Sequence, residues 1–304
     1  MHTPVLLHEV LDGLRLRPGE RVLDGTLNGG GHAREILRRL GGRGAFVGVD
    51  LDESLLRRTA AELESEFRSP DLRLEWVRGN YADAKGILAE RGMAQADAAL
   101  LDLGFSSVQL ESGRGFSFLR DEPLLMTYDE GETPLSESLR RLTEEELVKL
   151  IGGWGEERFA GRIARAIRER ERKSPIKTTG ELRDAVVSAV PPRFRHGRLD
   201  PATRTFQALR MYANDEPGNL ERFLAGAPEM LAAGGRLAVI SFHSLEDRLV
   251  KRAFREWEAR GIGEASKKPV AASRAEIQAN PRSRSAKLRL FEKNKNSKNT
   301  KDSK

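Results

Sequence analysis

Three short apolar runs in the chain each close on an aspartate: RVLD (21–24), AFVGVD (45–50), and the strand-like part of ADAALLDLG (96–104), which ends at Asp102. Such runs are too short for a buried helix. Bounded by glycine and charge, they match strands covered on both faces. Segments with helical spacing lie between them, at 32–40, stopped by Gly41-Gly42, and at 53–66, with a further strand, LRLEWV, at 72–77. Strands alternating with helices require crossover connections, so the expected fold is α/β with a doubly wound parallel sheet. The carboxyl ends of parallel strands share one edge, where ligands bind. Asp24, Asp50 and Asp102 are therefore expected together on that edge.

The first run leads into DGTLNGGGHA (24–33), a glycine-rich turn between a strand and a helix. Turns of this kind commonly cradle phosphate. Here Asp24 stands at the mouth, where a pyrophosphate would meet like charge. Asp50 lies about 20 residues past the turn, where an acid receives ribose hydroxyls. A ribose with no phosphate and a positive charge suits S-adenosylmethionine, whose sulfonium and ammonium an acidic edge attracts. The glycines then serve close backbone approach. Asn28 suits the turn because asparagine enters the left-handed region more readily than most residues. Taken alone, the motif is equally a glycine turn with a helix-capping acid; the three strand-end acids weigh against that.

The rhythm changes downstream. From about 105 to 200 no convincing strand is found. Leucines at helical spacing occur over 136–151, Phe159, Ile163 and Ile167 line one face of a second helix, and 180–190 is a third, before Pro191-Pro192. The α/β pattern resumes with helices at 202–213 and 218–232, a strand at 235–242, a helix beginning SLEDR with Ser244 and Asp247 placed as a capping box, and a strand at 285–292. The opening stretch reads as a helix capped by Thr3. The expected organisation is a sheet domain in two parts, 1–104 and 201–292, an inserted helical substrate domain, 105–200, and a basic, disordered tail, 293–304, that holds no apolar residue.

Composition narrows the chemistry. There is no cysteine, so disulfides, cysteine-ligated metals and thiolate nucleophiles are excluded. A formal net charge of +6 suits a polyanionic partner without requiring one. No apolar run reaches membrane-spanning length and no signal peptide is evident, so a cytoplasmic protein is expected.

Several stretches are similar to the MraW/RsmH-type ribosomal RNA methyltransferases: HTPVLLHEVLDGL, DGTLNGGGHA, LLDLGFSSVQLE, RGFSF, GGWGEERFAGRIARAI, PATRTFQALRM, SFHSLEDRLVK and NPRSRSAKLR, in the family's order from about His2 to Leu290. The resemblance implies a Rossmann-like S-adenosylmethionine-dependent methyltransferase sheet with an inserted helical domain. It also implies methylation of a cytosine N4 amine in the decoding region of small-subunit (16S) rRNA, within the small ribosomal subunit, without membrane or metal. Matched by motif, the cofactor contacts fall on Gly30, Gly31, His32, Asp50, Tyr81, Asp102 and Gln109. Two departures stand out. Asn28 replaces a common glycine. In DEPLLMTYD (121–129), Leu125 and Thr127 replace an acid and an arginine of the family pattern, in a segment expected to border the substrate.

An exocyclic cytosine amine needs placement and a proton acceptor, not a covalent adduct. Asp102 is the candidate catalytic residue for orienting the amine, with Phe105 to stack on a flipped base. In the bland alternative Asp102 only binds cofactor and Phe105 is core. His32 is read as packing the loop, with its backbone toward the cofactor. His243 is either structural, the commoner case, or a proton acceptor at the same edge. The arginines of 158–172, with PPRFRHGR (191–198) and Arg204, are a solvated face or a phosphate track. Two other functions compete: an RNA-binding assembly factor on a vestigial fold, and a DNA amino-methyltransferase, whose usual proline-proline-aromatic motif DLGFSS lacks.

Overall fold

The computed structural model describes residues 4–104, 110, 112–129, 131–197 and 199–295. The chain divides into two compact units, one of residues 1–106 with 217–304 and one of residues 107–216.

The first unit is built on one sheet. Its strands are β1 (Arg21–Asp24), β2 (Gly44–Asp50), β3 (Leu72–Arg78), β4 (Ala96–Asp102), β5 (Leu231–Ser241), β6 (Gly263–Ala265), β7 (Val270–Ala271) and β8 (Lys287–Lys293). They lie in the order β3-β2-β1-β4-β5-β8-β6, with β7 also paired to β8. The first five are parallel; β8 enters antiparallel beside β5. The order reverses at β1, so β1 and β4 flank the switch point where open sheets bind ligands.

Side chains alternate between the two faces of the strands. Ala98 and Leu100 of β4 pack under α1 (Leu7–Leu14), α2 (Gly31–Leu40) and α3 (Glu53–Glu66). Ala99 and Leu101 face the opposite core, with α4 (Ala84–Glu90), α10 (Glu216–Met230) and α11 (Ser244–Ala259). Burial on both faces explains why these strands read as continuous apolar runs.

The second unit is helical: α5 (Leu135–Arg141), α6 (Glu144–Lys149), a wide turn over Leu150–Trp154, α7 (Ala160–Lys173), α8 (Thr179–Ala189) and α9 (Thr203–Ala213). Among the described residues its only extended pairing is a single bridge, Pro123 to Thr178. The leucine-rich 136–151 stretch splits because Thr143 and Glu146 form a capping box that starts α6 afresh. Leu124 and Met126, in the divergent 121–129 segment, are core residues of this unit.

Several boundaries differ from the sequence reading. The helical unit extends beyond 200 to 216, because Phe206 and Leu209 of α9 are buried in its own core. Leu6 takes a left-handed conformation and α1 starts only at Leu7; Thr3 lies outside the described residues. β5 begins four residues before Gly235, with a register irregularity opposite Ala96–Ala98. The cap of α11 is His243, whose Nδ1 accepts from the Glu246 N–H at 3.4 Å, while the Glu246 carboxylate accepts from Phe242 N at 2.8 Å. Asp247 instead receives Lys287 at 3.0 Å and Arg289 at 2.7 Å from β8. Burial works to raise its pKa, yet these hydrogen bonds hold it below the usual carboxylate range.

Residue 293, assigned to the tail from the sequence, belongs to the sheet. Lys293 is the buried last residue of β8, and its ammonium donates to the carbonyls of Pro228 at 2.7 Å and Leu231 at 2.8 Å, at the end of α10. A cation there offsets both free carbonyls and the helix dipole. Residues 296–304 lie outside the described residues. Lys293→Ala should lower the melting temperature, since a charge-assisted hydrogen bond contributes roughly 1.5–3 kcal/mol. Removal of 296–304 should leave it unchanged. Differential scanning calorimetry of both variants checks this; equal melting temperatures would refute the role given to Lys293.

Candidate active site

The glycine turn is threaded across the ends of three strands. Gly25 N donates to Leu100 O of β4 at 2.9 Å, and Leu27 N to Val49 O of β2 at 2.9 Å. Thr26 Oγ1 accepts from Asp102 N at 2.6 Å, tying the turn to the end of β4. Asn28 adopts φ +49°, as its side chain type allows. Its backbone N–H donates to Asp50 Oδ2 at 2.8 Å, and its amide donates to the carbonyls of Thr26 and Gly104. Gly30, the N-cap of α2, must be glycine: φ is +71°, and a Cβ would lie 2.6 Å from Thr59 Cγ2. At Gly25 the space is also tight, since a Cβ would meet Leu101 Cδ2 at 2.5 Å and Tyr81 Cβ at 3.1 Å. Gly31 then opens α2.

Asp24, Asp50 and Asp102 end the adjacent strands β1, β2 and β4, and all three are buried. Asp24 Oδ1 accepts from Thr26 N at 3.1 Å. Burial pushes the Asp24 carboxyl up to about 7, with the charges of Asp102 and Asp50 adding to the shift. Burial likewise pushes Asp50 up to about 6, against the hydrogen bonds from Asp52 and Asn28. The partners that hold Asp24 and Asp50 are backbone N–H groups, not cations. Neighbouring carboxylates buried in this way are costly when ionised, and a cationic ligand relieves the cost.

His32 is buried behind them. Its Nε2 lies 2.9 Å from Val5 O and must carry a proton to donate there. Burial pushes its pKa down to about 4, so the ring is neutral near pH 7. Its Nδ1 then presents a lone pair toward Asp102 Oδ2, 3.5 Å away. Tyr81 sits in the turn after β3, half-buried, with its ring edge-on to Phe223 at 5.9 Å between centroids. His243 caps α11, the structural alternative. Phe105 and Gln109 lie outside the described residues.

The structure thus gathers Gly30, Gly31, His32, Asp50 and Asp102 around one strand edge. It adds partners that spacing alone does not single out. Thr26 hydrogen-bonds to the end of β4, and Val5 fixes the tautomer of His32. Asn80, whose amide donates to Asn219 at 2.7 Å, steadies the turn before Tyr81. Both oxygens of Asp50 hold backbone, one from the glycine turn and one from Asp52.

A parallel sheet with its switch point at β1, a close-approach glycine turn and a buried acidic edge define an S-adenosylmethionine-dependent methyltransferase of Rossmann-like fold. The residues present fit that cofactor: Asp50 retains lone pairs for ribose hydroxyls, Asp24 offers negative charge at the turn, and Tyr81 offers an aromatic ring for adenine. The chain belongs to the MraW methylase family, whose model matches residues 1–294. It is 44% identical over 310 residues to the ribosomal RNA small subunit methyltransferase H of Syntrophus aciditrophicus (strain SB), covering 96% of this chain and 97% of that one. The protein of the same name from Symbiobacterium thermophilum is 43% identical over 311 residues, with 96% of each chain covered.

The raised carboxyls predict a pH dependence. A carboxyl whose folded pKa lies above its unfolded value stabilises the fold while protonated. That contribution is complete below the ordinary value of 3.8 and is lost as pH rises through about 6 for Asp50 and about 7 for Asp24. The ligand-free protein should therefore lose stability across this window. A bound cation favours the ionised acids, so S-adenosylmethionine binding should release protons there and tighten as pH rises. Calorimetry in buffers of differing ionisation enthalpy measures the release, which Asp24→Asn should reduce to the share of Asp50. Binding with no proton release in the wild type would contradict the assignment.

Proposed function

We propose that this chain transfers a methyl group from S-adenosylmethionine to the exocyclic N4 amine of a cytosine in the decoding region of small-subunit (16S) rRNA, in the cytoplasm, with the small ribosomal subunit as substrate. The carrying observation is the trio of buried strand-end carboxylates beside the glycine turn, in a chain of the MraW methylase family. The names of its relatives supply the class of RNA. The resemblance of its sequence motifs supplies the cytosine amine.

When bound, S-adenosylmethionine supplies an electrophilic methyl group on a sulfonium. The lone pair of a cytosine amine is delocalised into the ring, so the chain has to hold that nitrogen within about 3–3.5 Å of the methyl carbon and in line with the sulfonium. Asp102 has this role. One of its carboxylate oxygens accepts from Gly104 N at 3.2 Å and the other faces His32. Accepting a hydrogen bond from the amine turns its lone pair toward the methyl group. The proton released after transfer goes to Asp102, where it bridges Oδ2 to the bare Nδ1 of His32 and turns an acceptor–acceptor contact into a hydrogen bond. Phe105 and Gln109 keep the roles their motifs imply, base stacking and cofactor contact. With no cysteine in the chain, methylation at cytosine carbon 5 through a thiolate adduct is excluded. The intact acidic edge and its cofactor fit disfavour a vestigial RNA-binding factor.

Two measurements test this. Asp50→Ala should weaken S-adenosylmethionine binding tenfold or more, since a charged hydrogen bond contributes about 1.5–3 kcal/mol; an unchanged affinity in titration calorimetry would remove Asp50 from the site. Asp102→Ala should lower the single-turnover rate at saturating cofactor by about 10²–10⁴-fold. Mass spectrometry of digested RNA should identify N4-methylcytidine; a 5-methylcytidine product would overturn the mechanism.

A further inference from the structure

The helical unit carries a set of charges that the methyl-transfer chemistry does not use. Arg158 and Phe159 precede α7. Phe194 closes a short turn, Pro192–Phe194, beyond the end of α8. The guanidinium of Arg158 lies 3.8 Å from the Phe194 ring centroid and 4.6 Å from that of Phe159. Arg193 lies 4.8 Å from the Phe194 ring. The two rings touch each other, with centroids 5.3 Å apart. Four side chains from two separate segments thus form one stacked cluster.

The cluster borders a cleft of about 430 Å³ lined by Arg158, Phe159, Val190, Phe194, Leu199 and Arg204 among others. This volume lies within the usual range of ligand pockets. Leu199, a large apolar residue, is 55% exposed at its rim.

Most polar groups nearby are already engaged. Asp200 receives Arg183 at 2.7 Å, and Glu157 accepts from Phe159 N at 2.9 Å. Arg195 donates to the carbonyls of Val190 and Ser188, and Arg204 to that of Glu156. Arg158 and Arg193 differ: both are exposed, and the side chain of neither makes an ion pair or hydrogen bond among the described residues. Their guanidinium faces lie on phenylalanine rings, so rotamer freedom is already reduced and the N–H edges remain open to a ligand. A guanidinium held in this way offers two parallel donors to a phosphate. The exposed leucine and aromatic edges beside it offer an apolar surface for a planar base.

We propose that this cluster is a clamp for single-stranded RNA: Arg158 and Arg193 each take a backbone phosphate, and the cleft beside Phe159, Phe194 and Leu199 receives an adjoining base. The clamp binds substrate RNA and rests on the proposed function, in which the substrate is RNA. It contributes affinity, not chemistry.

The test compares wild type with Arg158→Ala/Arg193→Ala, using fluorescence anisotropy of a labelled oligouridylate across a salt series, titration of S-adenosylmethionine and thermal melting. Both residues are exposed, so the double variant should fold with a melting temperature lowered by a few degrees at most, since exposed cation–π contacts contribute about 0.5–1 kcal/mol, and with unchanged cofactor affinity. RNA affinity should fall about tenfold or more. The slope of log affinity against log salt should shrink by about 1.4, since each single-strand phosphate contact contributes roughly 0.7. On small-subunit RNA, KM should rise with kcat preserved. Arg158→Lys keeps the charge but loses the planar fork, and should recover only part of the affinity. An unchanged slope in the double variant overturns the clamp. So does an equal loss of affinity for a labelled oligoglutamate, which would show a general anion surface. If the wild type binds RNA through these arginines but yields no methylated cytidine, the functional reading fails and the clamp stands.

Discussion

Burying three carboxylates side by side is the constraint on which the rest of this site depends. Asp24, Asp50 and Asp102 occupy the ends of three neighbouring parallel strands, where backbone hydrogen bonding of the sheet fixes their spacing. Taking such groups out of water is unfavourable, and their proximity adds repulsion. The fold offsets part of the cost with N–H donors from the glycine turn and leaves the remainder to a ligand. An edge of this kind favours a ligand that brings positive charge and penalises one that brings phosphate. One electrostatic condition thereby separates methyl transfer from dinucleotide chemistry on closely similar sheets.

The turn that partners these acids is held from several directions. It donates to strands on both sides, accepts from the Asp102 backbone, and receives the Thr59 hydroxyl on the Asn28 carbonyl at 3.0 Å. The Asp50 carboxylate, proposed to receive the ribose, also anchors this turn. On that reading, a loss at Asp50 acts on both cofactor recognition and loop geometry. His32 is coupled in a similar way. Its hydrogen bond to Val5 decides which ring nitrogen is bare, and so determines what Asp102 faces.

The helical unit has a separate logic. Its core is complete in itself, from Leu124 through Ile163, Ile167 and Leu182 to Phe206, and two capping boxes, at Thr143 and Thr178, fix where its helices begin. Many of its charges are paired within the unit, as at Arg170–Glu181 and Arg183–Asp200. Arg158 and Arg193 lie instead on phenylalanine rings.

Much of this was legible in the sequence. Apolar periodicity located the strands, because burial on both faces demands continuous apolar runs. The aspartates at their ends could be assigned to one edge, because parallel topology admits no other arrangement. Asn28 and the glycines declared a turn with left-handed backbone, and the lack of cysteine ruled out covalent carbon-5 chemistry. Other features needed the tertiary structure. α9 joins the helical core, not the sheet domain, because helical spacing marks an apolar face without saying what covers it. His243 caps α11 and Asp247 instead pairs with β8, a contact between residues 40 or more apart in sequence. Lys293 reads as the first residue of a charged tail, but its ammonium is satisfied by two carbonyls at the end of α10. Nor could spacing reveal that Val5 sets the tautomer of His32. A sequence records which groups are present and their local period. Desolvation and hydrogen-bond partnership are properties of neighbours, and only folding brings distant neighbours together.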